Sequence, residues 1–446
     1  MDVRYTENYT SLSLKDNKGQ CLEKEGNCHF EDYRLGRNDI KNLVYHILSE
    51  YTGMTLPWGT LTGIRPTKLP MEMYEKGASK GDAIRYLKET YLVSDEKAEL
   101  CAVVAENEAE VLKDCDYDHT FSLYVGIPFC PSICAYCSFS SYPLSVWEKQ
   151  VDNYLDALCK EIEAASTMMG DRKLLTFYMG GGTPTSLSAL QMDRLLTCLE
   201  KYFDLDHVSE KTVEAGRPDS ITEDKLQVLR KHHIDRISIN PQTMNQETLD
   251  LIGRRHTTEE VKKAFHMARK AGFTNINMDL IAGLPGETGR HMQRTMDEIV
   301  NLAPDSVTVH SLALKRAAFL NQNREQFPVA GADEVNRMIG ISHEGALAIG
   351  AEPYYLYRQK NIAGNLENVG YARKGCEGLY NILIMEEKQT ILALGAGASS
   401  KFVFNSGDGH RIERVENVKS VKDYIERIDE MIDRKKNFLL KSENSF

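Results

Sequence analysis

The sequence predicts an α/β protein built on a parallel sheet, either open or curled into a partial barrel. Two observations predict the sheet. From about residue 121, short segments rich in β-branched and aromatic residues alternate six times with helical stretches. Right-handed crossovers between such units make the strands parallel. A third observation places the chemistry. Three cysteines follow the first strand directly, and such folds carry their chemistry at the carboxyl ends of the strands.

The strands are expected at 121–127, 174–179, 212–215, 236–240, 275–281 and 306–312, each bounded by Gly, Pro or Asp. The clearest helix covers 257–271. Thr257 and Glu260 form a capping box, Val261, Ala264, Phe265 and Ala268 make one apolar stripe, and Gly272 stops it. Stretches 147–168 and 187–202 read the same way, and 223–232 more weakly. Residues 1–117 are expected as an N-terminal α+β accessory region, with weak strand patterning and then mostly helix over 39–112, interrupted by a turn at 61–68. Residues 118–320 are the core barrel and 321–446 a C-terminal domain. That domain holds a helix at 333–348, an aromatic run at 354–358, a Gly-rich stretch at 394–399 and a closing amphipathic helix at 421–433.

At 446 residues the chain has length for about three domains, although a barrel can absorb half of it. A net charge of −11 argues against a non-specific nucleic-acid binder and means that any anionic substrate must be met by local basic groups. No apolar run reaches the ~20 residues of a spanning helix. The first residues lack the order of a secretory signal, so a cytoplasmic protein is expected. Of ten cysteines, seven are scattered, and Cys159 and Cys198 read as buried inert thiols on helices.

Cys130, Cys134 and Cys137 form a C-x3-C-x2-C run on one loop. Three thiolates so placed suit an iron–sulfur cluster with one iron left open, although four ligands per cluster is the commoner arrangement. Zinc is the rival, but zinc sites usually add a second Cys or His pair, and none follows here. The second strand ends in Gly180-Gly181-Gly182-Thr183-Pro184, where bare backbone lets a ligand approach. Such turns also arise for plain geometric reasons. Glu214, Gln242 and Asp279 lie at later strand ends, and Arg254 offers a bidentate fork for a carboxylate. Singly, each reads equally well as a structural partner; together at one barrel mouth they suggest a pocket for a zwitterionic nucleoside.

These residues resemble the radical S-adenosylmethionine (SAM) superfamily, whose hallmark is the C-x3-C-x2-C run followed by a Gly-Gly-Thr-Pro strand end. The segments 124–130, 180–184 and 277–285 are similar to oxygen-independent coproporphyrinogen III dehydrogenases, with specific motifs over roughly 121–314 and a looser likeness at 354–358 and 365–371. The extra N-terminal region with Thr62-Gly63-Ile64-Arg65-Pro66 looks like the HemZ-like branch. The resemblance implies a radical SAM partial (β/α)6 TIM-like barrel, with Cys130, Cys134 and Cys137 holding a 4Fe–4S cluster whose open iron chelates SAM. It puts Tyr124 and Tyr136 beside SAM, together with Gly181, Gly182 and Thr183. Ribose and methionine contacts fall on Glu214, Gln242, Arg254 and Asp279, and a backbone contact on Ala313.

The implied reaction begins with one-electron reduction of SAM. A 5′-deoxyadenosyl radical then takes hydrogen from a propionate β-carbon, and loss of carbon dioxide and an electron leaves a vinyl group. The partners implied are a tetrapyrrole and a low-potential donor such as a flavodoxin or ferredoxin. Substrate carboxylates would be met by His310, Lys315, Arg358, Lys360 and Arg373. Two departures bear on the reading. Phe139 stands where the best-known dehydrogenases have a fourth cysteine, a feature shared with haem-chaperone relatives. Yet the segment 364–371 lacks the His and Trp typical of those chaperones. A haem-trafficking protein and a radical SAM enzyme acting on haem are the alternatives.

Overall fold

Asp2–Tyr5 (β1), Tyr9–Lys15 (β2) and Cys21–Asn27 (β3) pair as an antiparallel sheet in sequence order. Helix Tyr33–Thr52 (α1) follows. The Asp32 carboxylate caps its first backbone amides, and Gly53 ends it in the left-handed conformation. Helices Lys68–Glu75 (α2), Lys80–Tyr91 (α3) and Asp95–Leu112 (α4) complete the region. A Ser79/Asp82 capping box starts α3. Trp58 is fully buried and donates from its indole to Glu367 at 2.7 Å, while buried Lys97 pairs with the same carboxylate at 2.8 Å.

The computed structural model describes residues 1–138, 141–315, 318–359, 362–406 and 409–443. The chain divides into two units: residues 1–110 with 356–360 and 364–367, and the remainder. Among the described residues no helix is long and apolar enough to cross a membrane.

The second unit holds all six expected strands: Thr120–Ile127 (β4), Lys173–Gly181 (β5), Glu210–Gly216 (β6), Arg236–Ile239 (β7), Asn275–Ala282 (β8) and Ser306–Ser311 (β9). Each neighbours the next in parallel. A longer helix follows each strand, preceded by a short one after β4, β7 and β9: Val151–Ala165 (α5), Ala189–Tyr202 (α6), Glu223–Lys231 (α7), Thr258–Lys270 (α8), Gly289–Leu302 (α9) and Ala332–Ala348 (α10). This is the partial (β/α)6 barrel. The Thr257/Glu260 capping box is present, with Val261, Ala264, Phe265 and Ala268 as the buried stripe of α8.

Alternation along the strands divides the sheet into two chemistries. Leu123, Val125, Phe177, Met179, Val213, Ile237, Met278, Leu280, Val307 and Val309 are buried on one face. On the other face the side chains are polar and bond to one another. Thr176 donates to Ser122 at 2.7 Å, Asn277 to Ser238 at 3.1 Å, Thr308 to Asn277 at 3.1 Å and Arg236 to Ser306 at 3.1 Å. Buried polar groups are tolerated only when partnered, so this network fixes the strand register from within.

After the barrel come Glu352–Arg358 (β10), Glu367–Ala372 (β11), helix Leu379–Glu386 (α11), Ile391–Leu394 (β12), Ser399–Ser406 (β13) and Gly409–Glu416 (β14). The sheet order is β10-β11-β9-β8-β7-β6-β5-β4-β12-β13-β14. β11 lies antiparallel to β9, and β12 parallel to β4. The expected closing helix is two helices, Val421–Glu426 and Ile428–Glu443, because Arg427 leaves helical backbone (φ −117°, ψ 27°) and pairs instead with Glu430. Both pack on α5 through Glu161, which accepts from Tyr424 at 2.5 Å and Lys435 at 2.7 Å with no exposure. Cys159 and Cys198 are half-buried on α5 and α6 and face each other closely enough to hydrogen-bond, rather than being sealed in the core.

Candidate functional site

The loop after β4 carries the three cysteines and is fastened from several sides. Gly182 N–H donates to Ile127 O and Thr183 N–H to Phe129 O, both at 2.7 Å, so the glycine turn after β5 lies against it. Thr183 donates its hydroxyl toward Cys130 Sγ at 3.5 Å. The Ala135 amide donates to Ile252 O at 2.9 Å, and the Cys137 amide to Cys134 O at 3.0 Å. Arg217, unforeseen from the sequence, reaches Ser132 of this loop (Oγ at 2.6 Å, backbone O at 3.2 Å) while Asp219 grips it bidentately at 2.6 and 2.9 Å. The signal was an Arg-x-Asp placed immediately after the glycine that ends β6.

Gly182 has no room for a side chain: a Cβ would come to 2.6 Å from Phe129 O and 3.0 Å from Cys130 Sγ. Cys130 is nearly buried. Burial pushes its thiol up to about 11, with the neighbouring charges of Cys137 and Cys134 adding to the rise and Thr183 opposing it. Among the described residues no three Cys, His, Asp or Glu side chains converge as the ligands of one metal ion would. Thiolates that each serve a different iron of a larger cluster need not converge on one point.

Arg254 binds the loop from below. Its guanidinium donates to the Tyr136 hydroxyl at 2.9 Å and to Asn240 O at 2.6 Å, and its Nε has no partner among the described residues. Gln242 is buried at positive φ (68°), exchanges backbone bonds with β8 at 2.9 Å, and leaves Oε1 without a partner. A non-glycine residue held there is uncommon and strained. His256 is fully buried with both ring nitrogens unpartnered, and burial, then the Arg254 charge, pull its pKa down to about 3. Buried orphan groups of this kind are costly unless a ligand meets them, so this cluster fits a polar molecule bound beside the cysteine loop.

Deeper in the mouth, Tyr178 donates to Glu214 at 2.6 Å and stacks on Tyr380 at 4.5 Å, with Tyr124 at 6.2 and 6.4 Å from the two rings. Burial pushes the Glu214 carboxyl up to about 7, against the lowering pull of Tyr178 and with further upward pressure from Asp279. Asp279 goes the other way: burial raises it, but His310 and Asn277 outweigh that and hold it below its ordinary value. His310 Nε2 stands 3.9 Å from Asp279. Gly181, at φ 110°, leaves the Tyr124 hydroxyl against its bare Cα; a Cβ there would lie 3.2 Å from that oxygen. Tyr178 and Tyr380 were not singled out in the sequence; Tyr380 lies on α11, far along the chain, and only the fold brings it in.

Thus Tyr124, Tyr136, Gly181, Gly182, Thr183, Glu214, Gln242, Arg254 and Asp279 gather with the cysteines at the carboxyl end of the sheet. Ala313, just past β9, bridges Ile362, and Lys315 follows it. The structure does not bring Arg373 there. Arg373 follows β11, whose Ala372 pairs with Ser306 at the start of β9, and it bonds to Ile349 O at 2.9 Å near Asp305 at 3.8 Å. It therefore stands at the amino end. Arg358 lies in the first unit, where its guanidinium donates to Leu61 O at 2.6 Å and Asn365 O at 3.0 Å over the Trp58 ring. Lys360 and Phe139 fall outside the described residues.

Residues 124–299 match the family model of the Radical SAM superfamily. The chain is 44% identical over 413 residues to the oxygen-independent coproporphyrinogen-III oxidase-like protein HemZ of Bacillus subtilis, spanning 92% of this chain and 82% of that protein. It is 32% identical over 314 residues to the heme chaperone HemW of the same organism, spanning 69% and 76%. Among solved structures it is similar to the coproporphyrinogen III oxidase HemN of Escherichia coli, a radical SAM enzyme, with a TM-score of 0.57, 25% identity and 70% of each chain covered. A cysteine loop at the mouth of a polar-lined partial barrel and a likeness to HemZ over most of both chains lead to one assignment: the chain belongs to the radical SAM superfamily, whose oxidoreductases use a 4Fe–4S cluster and SAM, in the HemZ-like branch of the oxygen-independent coproporphyrinogen III oxidase family.

Proposed function

We propose that the chain is an oxygen-independent coproporphyrinogen III dehydrogenase that converts propionate side chains to vinyl groups on the way to protoporphyrinogen IX. At each propionate the net change is loss of carbon dioxide, a proton and two electrons. The observation that carries this reading is the cysteine loop fastened over a buried set of unsatisfied polar groups, in a chain similar to HemZ over 92% of its length.

Cys130, Cys134 and Cys137 would hold the cluster. When bound, the cluster and SAM together supply radical hydrogen abstraction, and the protein contributes position and electrostatics. Arg217 and Asp219 hold the loop in shape through Ser132. Arg254 is held by Tyr136 and Asn240 and keeps an idle Nε–H, so its buried positive charge and that donor suit the methionyl carboxylate. Gln242 offers an idle carbonyl oxygen to an ammonium or hydroxyl donor. Glu214 and Asp279 provide acceptors for ribose hydroxyls, and the near-neutral pKa of Glu214 lets it hold a proton there. The Tyr124–Tyr178–Tyr380 stack walls the pocket against water. His310 and Lys315, beside the last parallel strand, are the basic groups placed to meet a substrate carboxylate. A tetrapyrrole and a low-potential reductant are the partners this reading requires.

The test is an anaerobic assay of reconstituted protein with SAM, reductant and coproporphyrinogen III, following 5′-deoxyadenosine and porphyrin products together. Divinyl product with matching 5′-deoxyadenosine is expected. SAM cleavage without loss of carbon dioxide would reject the substrate. A haem chaperone is the second reading, favoured by Phe139 in place of a fourth cysteine and by the likeness to HemW. Tight haem binding with neither product would establish it instead.

A further inference from the structure

In a chain of net charge −11, one surface region runs against the overall sign. A cleft of about 350 Å³ in the first unit is lined by Arg34, Arg37, Lys41, Arg65 and Lys68, and no carboxylate lines it. The first three lie on one face of α1, at positions three and four apart. The other two come from the turn at 61–68 and the start of α2, so two separate elements deliver cations to one cavity.

The alternative is a solvated basic surface, but no carboxylate lines the cavity itself. Asp39, on the same helix, is committed to His29 through its backbone amide at 3.0 Å and its ring at 2.9 Å. Glu72 reaches Lys68 at 3.6 Å from α2 without lining the cavity. Burial and then the neighbouring Arg37 charge lower the Lys41 pKa. Lys41 and Arg37 therefore crowd one another, and an anion between them would relieve the crowding.

We propose that this cleft binds the phosphate chain of a small phosphorylated molecule. Charge density favours phosphate over carboxylates. A terminal phosphate carries about −1.5 to −2 near neutral pH, whereas each carboxylate carries one charge and a tetrapyrrole spreads its carboxylates around a broad rim. Five cations around a cavity this small match charges that are close together. The three arginines supply planar forks suited to phosphate oxygens, and the lysines supply point charges. The exposed ring of Tyr33 borders the cleft, 82% of its surface accessible, and offers a stacking face to an attached base. This site is independent of the barrel chemistry, and its test is a binding measurement.

The experiment titrates inorganic triphosphate into the full chain by calorimetry, at low and at higher salt. One-site binding that weakens as salt rises is expected. The double variant Arg37→Ala/Lys41→Ala should weaken it by about ten-fold or more, since each removes a charge-assisted contact. Arg37 is exposed and Lys41 half-exposed, so the variant should keep the parent's melting temperature; if it does not, the single variant Arg37→Gln serves the same purpose. Tighter binding of a nucleoside triphosphate than of inorganic triphosphate would assign a nucleotide, and equal binding the phosphate chain alone. No binding of either, equal binding by the variants, or binding of coproporphyrin at this cleft in place of triphosphate would overturn the proposal.

Discussion

The two ends of the parallel sheet satisfy their polar groups to different degrees. At the amino end the carboxylates have protein partners, and the orphan atoms among the described residues there are Arg236 Nε and Asn275 Oδ1. Asp305 accepts from Arg269 at 2.6 Å and from the Ile276 amide at 2.8 Å, Asp235 accepts from the Lys211 amide at 3.0 Å, and Glu210 accepts from Leu379 N–H at 2.5 Å. At the carboxyl end Gln242, Arg254 and His256 carry buried atoms without a partner among the described residues, and Gln242 holds a strained backbone. The carboxylates of the amino end are satisfied by the fold alone. The carboxyl end is left for something to complete, which is the division of labour expected of barrel enzymes.

The sharpest way to break this comparison is at the cysteines. Changing Cys130, Cys134 or Cys137 to Ala should abolish the brown iron–sulfur absorbance and SAM cleavage after anaerobic reconstitution. A variant retaining both would remove the loop from the site. Next comes Gly182→Ala, which drives a methyl group against Phe129 O and Cys130 Sγ. Relief by moving the loop should lower cluster content several-fold and cost about 1–3 kcal/mol of stability, read by iron analysis and thermal unfolding.

A paired experiment then contrasts the ends directly. Arg254→Ala should weaken SAM binding roughly 10- to 100-fold, the loss of a charge-assisted fork, while iron content stays the same. Asp305→Ala should leave SAM affinity of the folded protein unchanged but lower stability by about 3 kcal/mol, because it strands a partly buried guanidinium. The reverse pattern would erase the distinction.

The smallest effect concerns pH. The Glu214 carboxyl is raised in the folded protein to about 7 from an unfolded value of 4.5. Its protonation therefore favours folding at low pH, and that contribution is lost as pH rises through about 7. Melting temperatures of the ligand-free protein should fall over this window, and Glu214→Gln should flatten the fall. An unchanged slope would place the titration elsewhere.

Much of this was legible in the residues themselves. The six strands advertise themselves because each carries β-branched or aromatic side chains at short spacing, and the capping box at Thr257 fixes a helix start to the residue. Cys130, Gly182, Glu214 and Arg254 were readable because their side chains, or the lack of one, are chemically expensive to place without a purpose. Arg217 was not, since an arginine near a glycine looks the same whether it faces water or a loop 85 residues away. The basic candidate Arg373 shows the limit from the other side: charge alone cannot tell a ligand contact from a guanidinium satisfied by a backbone carbonyl. The break at Arg427 escaped because one residue leaving helical backbone does not disturb the apolar period on either side.

β12 gives the catalytic loop a dependence on the order of synthesis. The strand that launches the cysteines has two neighbours, and one of them, Ile391–Leu394, is made far later in the chain than Thr120–Ile127. Its exit is tight as well: Gly395 abuts Gly126 so closely that a Cβ would lie 2.6 Å from the Gly126 carbonyl, and Glu161 holds the Gly395 amide at 2.8 Å. Contacts between such distant parts of a chain form late. The thiols therefore gain their final frame only once the chain has been made through β12, long after the cysteine loop itself.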